Sequence, residues 1–124
     1  MSENQEMILY FATFSGDNAE KAAAPFVLGG AALAMDIKAV IVLQGEGVYL
    51  AKPGYVDTMK KPGGFPPVKK LLADFLELGG ELKVCGPCIK ERGIEESGLI
   101  EGASVTAAGQ VNLLALKANA VMTF

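Results

Sequence analysis

The chemistry-bearing residues of this chain are two cysteines, Cys85 and Cys88, separated by Gly86-Pro87. The two-residue spacing encloses no loop worth closing with a structural disulfide, so the pair reads as reactive thiols and not as a staple. The chain contains no histidine and no tryptophan. A Cys-His or Ser-His dyad and a histidine-ligated metal are therefore excluded, and any reactive thiol must be activated by backbone, helix dipole or a nearby cation.

The surrounding sequence offers that activation. Leu82-Lys83-Val84 reads as a short strand leading into Cys85, and Pro87 to Arg92 as a short helix ended by Gly93. Proline suits the first turn of a helix, which places Cys85 at a strand end and a helix entrance, near unpaired N–H groups. Such a position is expected to lower the pKa of Cys85 and make it alkylate before Cys88, which lies just inside the helix. Lys83, Lys90 and Arg92 add positive charge, and Glu91 opposes it. Two other readings of the pair remain open: an inert pair of small core residues, and half of a tetrahedral zinc set needing a second subunit or carboxylates to complete it. No cofactor site and no metal site is expected on these grounds.

The elements that must position the cysteines follow a strand–helix rhythm. Met7 to Thr13 is a continuous apolar run that reads as a buried strand, followed by the turn and cap residues Ser15-Gly16-Asp17-Asn18. Ala19 to Met35 reads as a helix in which Pro25 and Gly29-Gly30 either introduce a kink or permit close packing. Ile37 to Leu43 is a second apolar strand, and two strands joined by a helix make a right-handed βαβ unit with a parallel sheet. Val68, Leu71, Leu72, Phe75 and Leu76 form one face of an amphipathic helix stopped by Gly79-Gly80. Further on, Ala103 to Ala107 is a strand, Gly109 to Lys117 a helix and Ala120 to Phe124 a last strand. Between these elements, Lys52 to Gly64 mixes glycine, proline and lysine with few apolar anchors and is expected to be the most mobile part. Glu46 and Tyr49 are read as packing and solvated residues, the Ser15–Asn18 turn as a helix cap, and Lys60-Lys61 and Lys69-Lys70 as solvated faces.

The bulk numbers bound the rest. At 124 residues the chain forms one domain, residues 1–124, able to bury about two thirds of its unfolded surface. Hydrophobic residues make up 51% and charged residues 20%, an apolar excess that points to surface buried between subunits. A net charge of −3 argues against nucleic acid, which demands a basic stripe. The start, Ser2-Glu3-Asn4-Gln5-Glu6, is acidic where a secretory signal would be basic, and no apolar run reaches the ~18 residues of a membrane span. A cytoplasmic, membrane-free homo-oligomer is the expectation.

Two family resemblances bear on the cysteines. Cys-Gly-Pro-Cys is the thioredoxin redox tetrapeptide and implies a dithiol/disulfide oxidoreductase. The context differs, because Val84 stands where thioredoxins carry tryptophan, no proline follows Pro87, and the motif comes after two βα units. Over nearly the whole chain the sequence resembles the DsrE/TusD-like sulfur-relay family: an apolar first strand, a long helix of small residues, a Gly-Val-Tyr-Leu-Ala segment (Gly47 to Ala51), and a later strand ending in cysteine. The resemblance implies a three-layer α/β/α domain, flavodoxin-like or DsrE-like, with a mostly parallel sheet of about five strands, assembled as trimers or hexamers. The run from Cys85 through Arg92-Gly93 matches the short helix that follows the reactive cysteine of relay members. On that match Cys85 corresponds to the persulfide-carrying cysteine, exchanging sulfur with a donor or acceptor protein. Cys88 departs from the pattern and leaves open a disulfide step or a persulfide resolved internally. A non-catalytic oligomeric or regulatory module of the same family is the remaining alternative.

Overall fold

The computed structural model describes residues 5–124; residues 2–4 of the acidic N-terminal stretch lie outside it. Five strands form one parallel sheet: β1 (Met7–Ala12), β2 (Lys38–Leu43), β3 (Glu81–Cys85), β4 (Ala103–Thr106) and β5 (Ala120–Thr123). Their spatial order is β4-β3-β2-β1-β5, and every pairing is parallel. Four α-helices connect them: α1 (Ala19–Ala34), α2 (Val68–Glu77), α3 (Gly86–Glu91) and α4 (Ala108–Lys117). The α/β architecture and strand count match the expectation, with element ends moved by one or two residues.

Burial explains why the strands read as they do. The central strands β1 and β2 are covered on both faces, so their sequences are nearly continuous apolar runs, and five of the six β2 residues are buried. Strand β3 alternates instead: Leu82 and Val84 are buried, whereas Glu81, Lys83 and Cys85 are half-buried. Leu82 and Val84 join the core shared with α1, α2 and Ile89 of α3. On the opposite face Met7, Leu9, Val40 and Val42 pack against Val111, Leu114 and Ala115 of α4. Among the described residues one face of the sheet thus carries three helices and the other one.

Helix α1 runs unbroken through the buried Pro25, and Asn18 caps it by accepting a hydrogen bond from the Lys21 N–H at 3.1 Å. Gly29 permits close packing, whereas Gly30 has open space around it. A Cβ on Gly29 would stand 2.9 Å from the ring of Phe75, which lies edge-on to Phe26 with centroids 5.7 Å apart.

The segment from Lys52 to Gly64 is better anchored than its composition suggested. Tyr55–Thr58 forms a short 3-10 turn, Tyr55, Val56 and Met59 pack on the main core, and the Tyr55 hydroxyl donates to Ser15 Oγ at 3.1 Å. Tyr55, Val56 and Met59 show no periodic pattern in the sequence and find their partners only in three dimensions.

Candidate functional site

Cys85 ends β3, in register with Thr106 at the end of β4. After β3 the chain passes into α3, whose Ile89 joins the three-helix core; after β4 it passes into α4 on the other face. The carboxyl ends of β3 and β4 are therefore the point where successive connections leave to opposite sides, the crevice in which open α/β sheets place their sites. Strand alternation turns the Cys85 side chain to the α4 face, with Glu81 and Lys83 and away from Leu82 and Val84.

A groove of about 440 Å³ opens there. Cys85 and Pro87 form one wall, Thr106, Ala108 and Val111 another, and Phe11 and Val42 the sheet side. Cys88 is not among the lining residues. Its sulfur sits behind that of Cys85, donating to Cys85 Sγ at 2.7 Å and accepting the Gly45 N–H at 3.4 Å. Both cysteines are free thiols and half-buried. They belong to one site but face it differently, one toward the groove and one toward the turn that follows β2.

That turn, Gly45–Ala51, is a 3-10 element, and the reason it can reach Cys88 is a close backbone approach. A Cβ on Gly47 would lie 2.1 Å from the carbonyl oxygen of Ala12, so only glycine lets the turn lie across the end of β1. Gly45 adopts φ +53, the left-handed region that presents its N–H to Cys88. Glu46, read from sequence as a solvated residue, pairs with Arg92 at 3.1 Å, and Arg92 also donates to the Cys88 carbonyl at 3.2 Å. The pair ties the end of α3 to the turn. Tyr49 packs, as expected, stacked on Tyr55 at 5.4 Å.

The electrostatics of Cys85 run opposite to the helix-entrance expectation. Burial pushes its thiol above the ordinary range, and the hydrogen bond with Cys88 adds to this; the Cys88 backbone N–H and the Arg92 charge pull the other way without winning. Desolvation of the charged form is the largest of these contributions. Among the described residues no cluster of three or more cysteine or acidic side chains is arranged to hold a metal. The Ser15–Asn18 turn serves as the cap of α1, as expected.

Gly45, Gly47 and Thr106 are the site residues that sequence reasoning missed. The Gly45-Glu46-Gly47 spacing was the available signal, two glycines in quick succession directly after a buried strand.

A parallel sheet with a thiol at its topological switch point, and a second thiol directly behind it, defines a class of thiol-bearing α/β domains. Within that class this chain belongs to the DsrE/DsrF-like family, whose model matches residues 7–124. It is 38% identical over 93 residues to the uncharacterized protein MJ0989 of Methanocaldococcus jannaschii, covering 75% of this chain and 77% of the relative. It is also 38% identical over 103 residues to MJ0760 of the same organism, covering 83% of this chain but only 37% of that longer protein. In structure it is similar to the ychN protein from E. coli, with a TM-score of 0.76 at 21% identity over 97% of this chain and 99% of that one. MTH1491 from Methanobacterium thermoautotrophicum, a protein of unknown function, superposes with a TM-score of 0.63 at 9% identity, covering 96% and 99% of the two chains. These two structures support the fold.

Proposed function

We propose that this protein handles sulfane sulfur, carrying it as a persulfide on Cys85 and passing it to a partner thiol. The observation that carries the reading is the division of labour between the two sulfurs: Cys85 faces the groove, and Cys88 stands 2.7 Å behind it. The Cys85 thiolate attacks the outer sulfur of a donor R–S–SH, R–S⁻ leaves, and Cys85–S–SH forms. An acceptor thiolate then attacks that outer sulfur, taking it as a new persulfide and returning Cys85 as thiolate. Alternatively the Cys88 thiolate attacks Cys85 Sγ and expels HS⁻. This leaves a Cys85–Cys88 disulfide, which a dithiol reductant reopens with two electrons.

The test is intact-mass measurement after incubation with a sulfane-sulfur donor. Wild type gains the mass of one sulfur, Cys85→Ser gains none, and Cys88→Ser loads but releases slowly. Loading that persists in Cys85→Ser overturns the assignment. A dithiol oxidoreductase is the second reading, favoured by the closeness of the two sulfurs. It predicts substrate-disulfide reduction with no mass gain from the sulfur donor.

The protein acts as a homo-oligomer, a trimer or hexamer, joined through α4 and β5. No residue of α4 is buried, and Leu113 (60% exposed), Leu116 (82%), Val121 (47%) and Met122 (38%) stand on its surface and on the edge strand, an apolar face of the kind that covers itself by association. The reading places the protein in the reducing cytoplasm, where its thiols remain free, with a donor or acceptor protein as partner. Among the described residues no helix is long and apolar enough to cross a membrane.

A further inference from the structure

The groove in front of Cys85 has a composition that the sulfur-carrier reading does not require. Its apolar wall is Phe11, Val42, Pro87, Ala108 and Val111, and its polar groups are the neutral side chains of Gln44, Thr106, Asn112 and Thr123. Among the described residues no lysine, arginine, aspartate or glutamate lines it. The nearby cation Arg92 is already paired with Glu46 at 3.1 Å and donates to the Cys88 carbonyl. An anionic donor such as thiosulfate, or a peptide thiol with several carboxylates, would find no cationic side chain among the lining residues, only the partial charge of the α4 N-terminus, whose cap Ala107 makes no side-chain hydrogen bond. At about 440 Å³ the groove lies in the size range of sites that enclose a small organic molecule.

We infer that Cys85 reacts with a small, uncharged, largely apolar organic sulfur compound seated in this groove, in preference to inorganic or polyanionic sulfur donors. The inference names the substrate class of the site proposed above and rests on Cys85 being its acceptor. The neutral amide and hydroxyl groups orient the ligand by hydrogen bonds, and the apolar wall supplies the contact area. Thr106 is spoken for in part, since its hydroxyl donates to Gln110 Oε1 at 3.1 Å, leaving Gln44, Asn112 and Thr123 as the available polar contacts.

The test uses labelling instead of sulfur loading, so it stands or falls separately from the persulfide reading. Methanethiosulfonates carrying a benzyl, an ammonioethyl or a sulfonatoethyl group react with Cys85 in the full-length Cys88→Ser protein. In each case the Cys85 thiolate attacks the sulfenyl sulfur, Cys85–S–S–R forms and methanesulfinate leaves. Rates are followed by intact mass and normalised to the same reagents reacting with free cysteine. The benzyl reagent should be favoured over both charged reagents by about tenfold or more, the equivalent of one unpartnered charge at the groove mouth. Ala108→Phe, which fills the groove from an exposed position at the start of α4, should abolish the benzyl preference while a methyl reagent still reacts. Asn112→Asp, a near-isosteric change at a position exposed in the single chain and one turn from Leu116 of the proposed subunit contact, should raise the ammonioethyl rate above the sulfonatoethyl rate. Equal normalised rates, or a sulfonatoethyl reagent that reacts fastest, would overturn the inference while leaving the sulfur-loading result untouched. If the benzyl preference holds and sulfur loading fails, the groove assignment stands and the persulfide reading falls.

Discussion

Replacing Gly47 by alanine tests whether the turn behind the cysteines is held by the close approach on which the site depends. The added Cβ would lie 2.1 Å from the Ala12 carbonyl oxygen, 2.9 Å from its carbonyl carbon and 3.3 Å from Thr13 Cα. An ordinary carbon–oxygen contact is about 3.3 Å, so the turn or the end of β1 must retreat by about 1 Å. Both partners are backbone, and no side chain can rotate away. Overpacking of this kind costs about 1–3 kcal/mol, and backbone on both sides places Gly47→Ala at the upper end. In a domain of this size 1 kcal/mol moves the melting temperature by roughly 3–5 °C, giving a fall of about 10 °C. Gly45→Ala is the comparison: nothing lies within 4 Å of its Cβ, but its φ is +53. It meets only the left-handed backbone cost of about 1–2 kcal/mol, hence a fall of about 5 °C. Thermal unfolding followed by circular dichroism measures both. A Gly47→Ala protein that melts within about 2 °C of wild type, or above Gly45→Ala, would refute the packing argument. The same displacement should pull the Gly45 N–H off Cys88 Sγ, so the relative alkylation rates of the two thiols should change with it.

Four further outcomes are expected. At pH 7 iodoacetamide should modify Cys85 several-fold faster than Cys88, because Cys85 faces the groove while the Cys88 sulfur lies under the Gly45 N–H. Since burial raises the Cys85 pKa, its thiolate is scarce at neutral pH, and the Cys85 rate should keep climbing as pH passes about 8.5; a plateau below that value contradicts the desolvation argument. Light scattering should report a homo-oligomer at micromolar concentration, and Leu113→Asp with Leu116→Asp should dissociate it, whereas a monomeric wild type rules out the α4–β5 interface. Phe75→Ala should cost about 3–5 kcal/mol, measured by denaturant titration, because Phe75 is fully buried against Phe26 and Gly29; a loss under 1 kcal/mol would mean the α1–α2 contact collapses to fill the void.

Local chemistry made much of this protein legible in its sequence. Continuous apolar runs marked β1 and β2 because a central parallel strand is covered on both faces, and the spacing from Val68 to Leu76 marked α2 because one helical face must meet the core. Cys85-Gly86-Pro87-Cys88 announced a thiol pair at a strand end because proline starts helices and cannot extend a ladder. Three things waited for the tertiary structure. Strand order is one: β5 returns to the edge beside β1, which no local pattern encodes, and that return sends α4 to the opposite face and opens the groove between α4 and the ends of β3 and β4. The sign of the Cys85 pKa shift is another, since position along the chain reveals a helix entrance but not the desolvation that raises the thiol's pKa. The last is the role of the Gly45–Ala51 turn. Gly45 and Glu46 lie some forty residues from their partners Cys88 and Arg92 in the chain, and only the packing of the turn across the end of β1 brings them to the second thiol.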